Sequence, residues 1–256
     1  MIGRNIMEKK LTCSLLAVLL LCTVGMHISP ADGKEKTLDT DPHLVGWWKF
    51  DETAGKTVAD ASPHHRKGAL TGDLSFDTNS AKGRIGKALR LNGEDYVRIT
   101  NYKGITGTKP RTITAWIKTE EDRGEIISWG ADDFGKMWIY RHIRGRVGVT
   151  PNGGYLYIND KTDDGDWHHV AVVVHKAELP NLHDDVTLYK DGKPAEIHDI
   201  GLLDLWPVDT GKDMDVQIGR GLEGLLDDVR LYDRPLSEDE IKAIYDVKSD
   251  KPLPKP

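Results

Sequence analysis

The sequence predicts an all-β fold, a sandwich of two antiparallel sheets followed by a short C-terminal helix. Short runs of alternating apolar and polar residues recur along the chain, and turn-forming residues separate them, which is the pattern of half-buried strands. Seven Trp and eight Tyr supply bulky side chains for a core between two layers. At 256 residues the chain fits one all-β domain with short tails, because such domains often reach about 200 residues or more.

The clearest strand is predicted over 224–232, near the C-terminal end. Alternation along this strand places Asp227 on the same face as Val229 and Leu231. A carboxylate that faces an apolar layer needs a partner, because burying it unpaired is costly. The strand therefore predicts either a metal ion or a row of backbone N–H donors beside Asp227.

A short helix is predicted directly after this strand. Pro235 ends the strand, and Ser237 with Glu240 three residues later forms a capping box. Ile241 and Ile244 follow at helical spacing. The helix is therefore expected to begin after Ser237.

Several blocks of the chain together match one family pattern. The last strand and helix match G-x-(I/L)-D-(E/D)-V-R-(I/L)-Y and R-x-L-S-x-x-E-I at Gly224, Leu226, Asp227, Asp228, Val229, Arg230, Leu231, Tyr232, Arg234, Leu236, Ser237, Glu240 and Ile241. Upstream blocks match at Trp48, Phe50, Asp51 and Glu52, at Gly86, Ala88, Leu89, Leu91, Gly93 and Val97, and at Trp167, His169, Val170 and Ala171. In these residues the chain resembles the LamG-like (laminin G type 3) jelly-roll domains of the concanavalin A-like lectin/glucanase superfamily.

The resemblance implies a concanavalin A-like jelly roll in which the first and last strands are neighbours. It identifies a fold rather than a function, because one fold carries many activities. We expect four segments along the chain: a signal peptide over 1–31, a flexible lead-in over 32–43, the LamG-like jelly-roll domain over 44–246 and a Pro-rich tail over 247–256.

Residues 1–31 have the features of a secretory signal peptide. Arg4 and Lys9 precede an uncharged apolar run over 11–26, and Ala31 offers a small residue for cleavage. The alternative is a membrane anchor, but the run is shorter than the about 20 residues that a span needs. The protein is therefore expected to be secreted, periplasmic or extracellular, with no membrane span after cleavage.

The cysteines and the net charge narrow the class of protein. Cys13 and Cys22 both lie in the predicted signal peptide, so the mature chain would contain no disulfide. A lipid anchor at Cys22 is the alternative, but Leu21 stands where a small residue is expected. A net charge of −6 without a basic stripe disfavours nucleic acid as a partner.

Three acids are candidates for a calcium site. Asp51 and Asp60 flank a turn-rich loop, and with Asp227 they offer the oxygen ligands that Ca²⁺ prefers. Gly93, at a hairpin turn predicted over Asn92 and Gly93, completes the predicted set of metal-site residues. The family resemblance implies a structural calcium held by an acid at the position of Asp227. The alternative is that Asp51 and Asp60 accept backbone N–H bonds within turns.

Aromatic and basic side chains of the middle strands are candidates for a carbohydrate site. The predicted ligand-binding residues are Trp138, Tyr140, Arg144, Tyr155, Tyr157 and Trp206. Trp138 and Tyr140 share one face of a strand, and Tyr155 and Tyr157 extend the same predicted sheet. Aromatic rings on an open sheet face stack on sugar rings, and Arg144 would donate hydrogen bonds. The alternative places these strand aromatics in the core, which is their commoner location.

Two features imitate catalytic groups. By spacing, Glu120, Asp122 and Glu125 resemble the E-x-D-x-x-E motif of a glycoside hydrolase family, but the residues between them do not suit a core, so a charged hairpin tip is predicted instead. His169 is predicted to be a structural, hydrogen-bonded histidine rather than a base or a metal ligand.

The sequence thus predicts a secreted, non-catalytic recognition module. Its expected partner is a glycan, or a protein of the cell surface or the extracellular matrix, with carbohydrate binding as the leading interpretation. One alternative is a protein-adhesion or structural module, marked by a flat apolar patch or an exposed strand edge. Another is a polysaccharide hydrolase or lyase, which needs catalytic groups converging in one cleft.

Overall fold

The computed structural model describes residues 37–200 and 206–247, with the backbone alone for residues 199 and 200. The predicted signal peptide, the first part of the lead-in and all but one residue of the predicted tail lie outside these ranges. Within them, no helix is both long enough and apolar enough to cross a membrane. The helical elements are a 3-10 turn at Leu38–Thr40, α1 at Phe76–Asn79 and α2 at Glu238–Tyr245.

The described strands form two antiparallel sheets. Sheet A contains β1 (Leu44–Trp48), β4 (Ser80–Lys82), β5 (Lys87–Asn92), β7 (Arg111–Lys118), β12 (His168–Val174), β13 (Val186–Lys190), β14 (Lys193–Pro194) and β17 (Glu223–Tyr232). Sheet B contains β2 (Thr57–Val58), β3 (Gly68–Leu70), β6 (Val97–Ile99), β8 (Arg123–Gly130), β9 (Met137–Ile143), β10 (Arg146–Thr150), β11 (Leu156–Ile158), β15 (Ile197–Ile200) and β16 (Met214–Ile218). The predicted all-β sandwich with a short C-terminal helix is confirmed.

Strand order places the last strand at the centre of sheet A. The order is β14-β13-β12-β7-β17-β5-β4, and β1 also pairs with β17. The first and last strands are therefore neighbours, as the family resemblance implies. In sheet B the order is β15-β11-β10-β9-β8-β16-β6-β3-β2, so β9 lies in the interior of the sheet and β11 lies near one edge.

The main core lies between the two sheets. Its largest fully buried side chains include Trp48, Trp129, Trp138 and Tyr140. A second cluster packs α2 and the 3-10 turn against side chains of sheet A that alternate with those of the main core; it comprises Leu38, Leu44, Trp47, Ala171, Val173, Tyr189, Tyr232, Leu236, Ile241 and Ile244. One face of sheet A therefore meets sheet B, and the other is covered by the chain ends.

Helix α2 begins as the sequence predicts. The Ser237 hydroxyl accepts a hydrogen bond from the Glu240 backbone N–H at 3.2 Å, and the Glu240 carboxylate accepts one from the Ser237 N–H at 2.8 Å. Two N–H groups of the first turn are thus satisfied reciprocally. The last residue of the helix, Tyr245, stacks on Trp116 of β7 with ring centroids 5.6 Å apart.

Strand β17 contains a bulge. Asp227 pairs with Trp116, but Arg230 pairs with Thr114, so β17 holds one residue more than β7 over this interval. Asp228 has φ +49°, a left-handed conformation that few residues other than glycine adopt. The extra residue bends the strand and reverses its alternation from that point on.

The bulge overturns the predicted face of Asp227. Leu226, Val229 and Leu231 all belong to the core between the sheets. Asp227 lies on the opposite face, beside its cross-strand neighbour Trp116. The prediction that Asp227 shares a face with Val229 and Leu231 is therefore wrong, because strict alternation holds only in a strand without an extra residue.

The predicted hairpin at Asn92 and Gly93 is also wrong. Strand β5, before this turn, belongs to sheet A, whereas β6, after it, belongs to sheet B. The Asn92 side-chain oxygen accepts hydrogen bonds from the N–H groups of Glu94 at 3.1 Å and Asp95 at 2.8 Å. This Asx turn carries the chain from one sheet to the other.

Candidate functional site

Trp138 and Tyr140 point into the core. Both side chains are fully buried, because β9 runs through the interior of sheet B and these positions face sheet A. The prediction that they belong to an exposed binding face is wrong. The alternate positions of β9, which include Ile139 and Arg141, are partly exposed on the outer face of the sheet.

The Tyr140 hydroxyl provides a test of this placement. It has no hydrogen-bond partner among the described residues, and burial raises the pKa of Tyr140 well above its ordinary value. Tyr140→Phe removes a buried polar group that gains nothing from the fold, so we expect the free energy of unfolding to stay the same or to rise by about 1 kcal/mol. Chemical denaturation of both proteins measures the difference. A clear loss of stability would contradict the absence of a partner, because it would mean that the hydroxyl is hydrogen-bonded.

Three of the predicted ligand residues come together in a groove on the outer face of sheet B. We call it the arginine–tyrosine groove; it is lined by Ile143, Arg144, Arg146, Tyr155, Tyr157 and His198. Its volume is about 190 Å³, and it lies where β9, β10, β11 and β15 meet at one end of the sheet. The predicted residues Arg144, Tyr155 and Tyr157 are thus neighbours, while Arg146 and His198 are additions that the sequence did not predict.

The Tyr157 ring packs over a glycine of the neighbouring strand. Tyr157 of β11 pairs with Gly148 of β10, which in turn pairs with Arg141 of β9. A Cβ atom at Gly148 would overlap the Tyr157 ring, so the ring lies over this glycine. The ring of Tyr155 lies 5.6 Å from that of Tyr157, with 39° between the ring planes. The two tyrosines therefore form a tilted pair along one wall of the groove.

The β9–β10 hairpin determines the positions of Arg144 and Arg146. Ile143 pairs with Arg146, so the connection consists of Arg144 and Gly145 alone. Their φ angles are +53° and +75°, which is typical of a type I′ turn. The Arg146 Nε donates a hydrogen bond to the carbonyl oxygen of Asn159 at 3.1 Å. That bond holds the Arg146 side chain across the end of β11.

Burial and nearby charge have opposite effects on the pKa of Tyr157. Burial raises the pKa of the Tyr157 hydroxyl, and the charges of Arg141 and Arg144 partly offset this effect. The hydroxyl is therefore neutral at physiological pH and can both donate and accept a hydrogen bond. The groove combines two aromatic rings, hydroxyl groups and positive charge.

Trp206 lies outside this groove. It is 43% exposed and stacks on Phe134, which is 55% exposed, with ring centroids 5.5 Å apart and 16° between the planes. A Cβ atom at Gly153 would crowd both rings. The predicted exposure of Trp206 is correct, but its partner Phe134 was missed, because a single aromatic residue in a polar loop carries no recognisable sequence signal.

Asp227 is a buried carboxylate with only one of its two oxygens hydrogen-bonded among the described residues. One oxygen, Oδ2, accepts hydrogen bonds from the backbone N–H groups of Arg84 at 2.8 Å and Ile85 at 2.9 Å. The other oxygen, Oδ1, is buried and has no hydrogen-bond partner among the described residues. Burial raises the pKa of Asp227 to about 8, and the neighbouring carboxylates of Asp228 and Asp51 add to the effect against the two backbone bonds. A cation at Oδ1 would satisfy this site.

The other predicted metal residues differ in how well they fit. Asp51 lies beside the same turn as Asp227, since its Oδ1 accepts a hydrogen bond from the Lys87 N–H at 2.8 Å. Gly93 lies beyond the end of β5, because its neighbour Asn92 pairs with Glu223, while Asp227 is placed farther along β17. Gly93 therefore does not belong to a site with Asp227, and that part of the prediction is wrong.

Asp60 has a structural role in a turn. Its two oxygens accept hydrogen bonds from the backbone N–H groups of Trp47, Ser62 and Arg66, at 2.6–2.8 Å, and from the Ser62 hydroxyl at 2.9 Å. With both oxygens occupied, Asp60 does not fit a calcium ligand, and the alternative of a turn acceptor describes it. Among the described residues, no cluster of three or more His, Cys, Asp and Glu side chains is arranged to hold a metal ion.

The residues that imitate catalytic groups are dispersed or buried. Glu120 and Asp122 lie in the exposed turn between β7 and β8, and Glu125 lies within β8, where it accepts a hydrogen bond from Ser128. The ring of His169 is fully buried, and burial lowers its pKa to about 4. Neither ring nitrogen has a hydrogen-bond partner among the described residues, so the predicted hydrogen bonding is wrong and the ring instead packs 5.2 Å from Trp116.

One family model and several solved structures match this chain. A family model described as the concanavalin A-like lectin/glucanases superfamily matches residues 91–242. No curated protein sequence matches the chain. Domain 4 of AbnA, an extracellular arabinanase from Geobacillus stearothermophilus, has a similar structure with a TM-score of 0.56 and 19% identity, over 78% of this chain and 96% of that domain.

Two toxin domains are also similar in structure. The binding domain of Paraclostridial Mosquitocidal Protein 1 has a TM-score of 0.53 and 17% identity, over 79% of this chain and 52% of that one. The receptor-binding domain of botulinum neurotoxin mosaic serotype C/D has a TM-score of 0.52 and 14% identity, over 81% of this chain and 50% of that one. The chain spans about half the length of these toxin domains. At these identities the likeness concerns the fold.

Proposed function

The chain belongs to the concanavalin A-like lectin/glucanase superfamily, and from this membership we propose that it is a secreted, non-catalytic module that binds carbohydrate. The observation that carries the proposal is the arginine–tyrosine groove. It is an outward-facing cleft in which the rings of Tyr155 and Tyr157 lie 5.6 Å apart beside two arginines. Aromatic rings bury the apolar face of a sugar ring, and fixed polar groups orient its hydroxyls.

The solved relatives support a binding role in this fold. Domain 4 of the arabinanase was solved in complex with arabinotriose, and the two toxin domains are described as binding and receptor-binding domains. Those ligands belong to those proteins. For this chain, they favour recognition over catalysis as the use of the fold.

A hydrolase of the two-carboxylate type has less support. Such an enzyme places two acids on either side of a glycosidic bond. The lining of the groove contains Arg, Tyr, His and Ile side chains, and the described part of that lining includes no acid. We therefore propose binding without hydrolysis at this groove.

A protein partner is the second candidate. The stacked pair of Phe134 and Trp206 is an exposed aromatic surface apart from the groove. Large aromatic side chains are enriched among the residues that dominate protein–protein affinity. This pair would be the contact site if the protein acts as an adhesion module.

We also propose that Asp227 holds a structural Ca²⁺. The buried Oδ1, which has no partner among the described residues, supports the proposal, as does the position of Asp51 beside the same turn over 83–87. Asp227 and Asp51 would supply carboxylate oxygens, and main-chain carbonyls of the turn would supply others, which is the ligand set that Ca²⁺ takes. The ion would tie β17 to the β4–β5 turn and to the chain after β1.

Glycan array binding tests the proposed function. The purified protein is applied to a broad panel of glycans and polysaccharides, once with Ca²⁺ and once with EDTA. We expect selective binding, and a loss of affinity of about tenfold or more in Tyr157→Ala, because an aromatic anchor in a pocket commonly contributes more than 1 kcal/mol.

Tyr96→Ala is the matched control. Tyr96 precedes β6 at the other end of sheet B, and its hydroxyl accepts a hydrogen bond from Arg98 at 2.6 Å, so it is also a tyrosine beside an arginine. Its replacement is expected to leave binding unchanged. Absence of binding to every glycan, with and without Ca²⁺, would reject the carbohydrate proposal and favour the protein partner.

A further inference from the structure

We propose that the arginine–tyrosine groove selects anionic glycans, those that carry carboxylate or sulfate groups on their sugar rings. This inference rests on the proposed function, since it names the class of carbohydrate that the same groove takes. It follows from the state of the arginines around the groove, from the placement of the nearby acids and from the geometry of the tyrosine pair.

Two arginines of the groove and the neighbouring Arg141 have no carboxylate partner among the described side chains. Arg141, Arg144 and Arg146 make no ion pair with any carboxylate whose side chain the structure describes. Arg230, by contrast, forms two ion pairs: its Nε lies 2.9 Å from Asp228, and its Nη1 lies 2.7 Å from Asp39. In a chain with a net charge of −6, three arginines without a described carboxylate partner lie near one end of a sheet, where they favour a negatively charged ligand.

Arg141 also has a hydrogen-bond donor without a described acceptor. Its Nε is buried and lacks a hydrogen-bond acceptor among the described residues. Its charge acts on the hydroxyl of Tyr157, which lines the groove. A buried guanidinium nitrogen without an acceptor is costly, and an anion that enters beside Tyr157 would relieve that cost.

Two acids near the groove, among those whose side chains the structure describes, are engaged by other groups. Glu125 is the cross-strand neighbour of Arg141, but its Oε2 accepts a hydrogen bond from Ser128 at 2.6 Å and its Oε1 lies 4.0 Å from Arg220. Asp163 packs over the β9–β10 turn, where it lies 3.5 Å from Lys161. Neither carboxylate lines the groove, so the described side chains of its lining present positive charge to a ligand.

The shape of the site matches a charged sugar. A pyranose ring that stacks on a tyrosine presents its equatorial substituents at the ring edge, toward the groups around the aromatic face. At this groove those groups are Arg144 and Arg146. A guanidinium donates two parallel hydrogen bonds to a carboxylate or a sulfate, and these charge-assisted bonds are stronger than bonds to a hydroxyl.

Paired polymers that differ only in charge test the inference. Binding of the purified full chain is measured for polygalacturonate against its methyl ester, and for dextran sulfate against dextran. The first pair reports a carboxylate and the second a sulfate, so the two sources of negative charge are separated. We expect at least one charged polymer to bind about tenfold more tightly than its neutral partner, and the difference to shrink at high salt.

Variants locate the effect. Arg144→Gln with Arg146→Gln is expected to weaken binding of the charged polymer about tenfold or more, to the level of the neutral one. Arg98→Gln is the matched control, because Arg98 is an exposed arginine beside Tyr96 on the same sheet and outside the groove. Melting curves verify folding. If the double variant does not fold, Arg144→Gln alone replaces it; this variant removes one of the two charges and is expected to weaken binding of the charged polymer by a smaller factor.

The outcomes separate the inference from the proposed function. Equal affinity for charged and neutral polymers would overturn the inference and leave carbohydrate binding in place. Equal losses in Arg98→Gln and in the groove variant would also overturn it, because the charge effect would then be general. Binding to no glycan in this set or in the broad panel would reject both.

Discussion

Without calcium, the protein is expected to lose stability as the pH rises from about 6 to about 9, and Asp227→Asn is expected to remove that loss. The folded-state pKa of Asp227 is raised to about 8, from an ordinary value of 3.8. The folded chain therefore binds a proton that the unfolded chain has released over this interval. Stability from this group is fully present below the unfolded pKa and is lost as the pH rises through about 8.

The size of the effect follows from the two pKa values. Between about pH 6 and about pH 9, the free energy of unfolding should fall by about 3 kcal/mol, which corresponds to about 5–10 °C in Tm for a domain of this size. The measurement is a series of melting curves in EDTA. His168, whose pKa is raised by its hydrogen bonds to Asp191 and Asp164, titrates in the same direction, so the quantity to compare is the difference between wild type and Asp227→Asn at each pH.

Calcium should reverse this loss. A divalent cation binds the ionised form of Asp227, so Ca²⁺ added at about pH 9 is expected to raise the Tm of the wild type. Asp227→Asn should respond to neither Ca²⁺ nor EDTA, and Asp60→Asn is the matched control that should keep the response if it folds. A wild-type melt that is the same in Ca²⁺ and EDTA would reject the metal proposal, whereas the pH dependence in EDTA would stand.

Arg230→Gln is expected to destabilise the fold by about 3–5 kcal/mol. Arg230 is 2% exposed, and its Nε donates a hydrogen bond to Asp228 at 2.9 Å. Its guanidinium also donates to Asp39 at 2.7 Å and lies 4.1 Å from the centre of the Trp47 ring. Removing the arginine leaves the carboxylate of Asp228, itself 3% exposed, as a buried charge without its partner.

A double-mutant cycle separates the ion pair from packing. Asp228→Asn combined with Arg230→Gln removes both charges, so the double variant should be less destabilised than the sum of the single variants by about 1–3 kcal/mol. Urea denaturation of the four proteins gives these values. Additive losses would show that Arg230 stabilises the fold through Asp39 or by its packing on Trp47, and not through Asp228.

The architecture was predictable where local patterns decide it. Alternation predicts β17 and β7, and the capping box at Ser237 and Glu240 predicts the start of α2. The faces of β17 were not predictable, because the bulge depends on a left-handed Asp228, and aspartate at that position carries no signal comparable to glycine. The change of sheet after Asn92 is decided by long-range pairing, which the turn residues do not reveal.

Strand alternation also limits how much of the candidate site could be predicted. Alternation shows which residues share a face, but it does not say which face is inward. Trp138 and Tyr140 were therefore placed outside, although they lie in the core. Tyr157 lies in the lining of the groove, and its role in ligand binding stays a prediction. Gly148 is a sequence signal for its position, since a glycine within a strand marks the close approach of another group.

The most direct test of the account is a crystal structure of the protein with the oligosaccharide that binds best in the panel. We predict a sugar ring stacked on Tyr155 or Tyr157, with an exocyclic oxygen within hydrogen-bonding distance of Arg144 or Arg146. A sugar bound at Phe134 and Trp206, or at any surface apart from the arginine–tyrosine groove, would contradict the account.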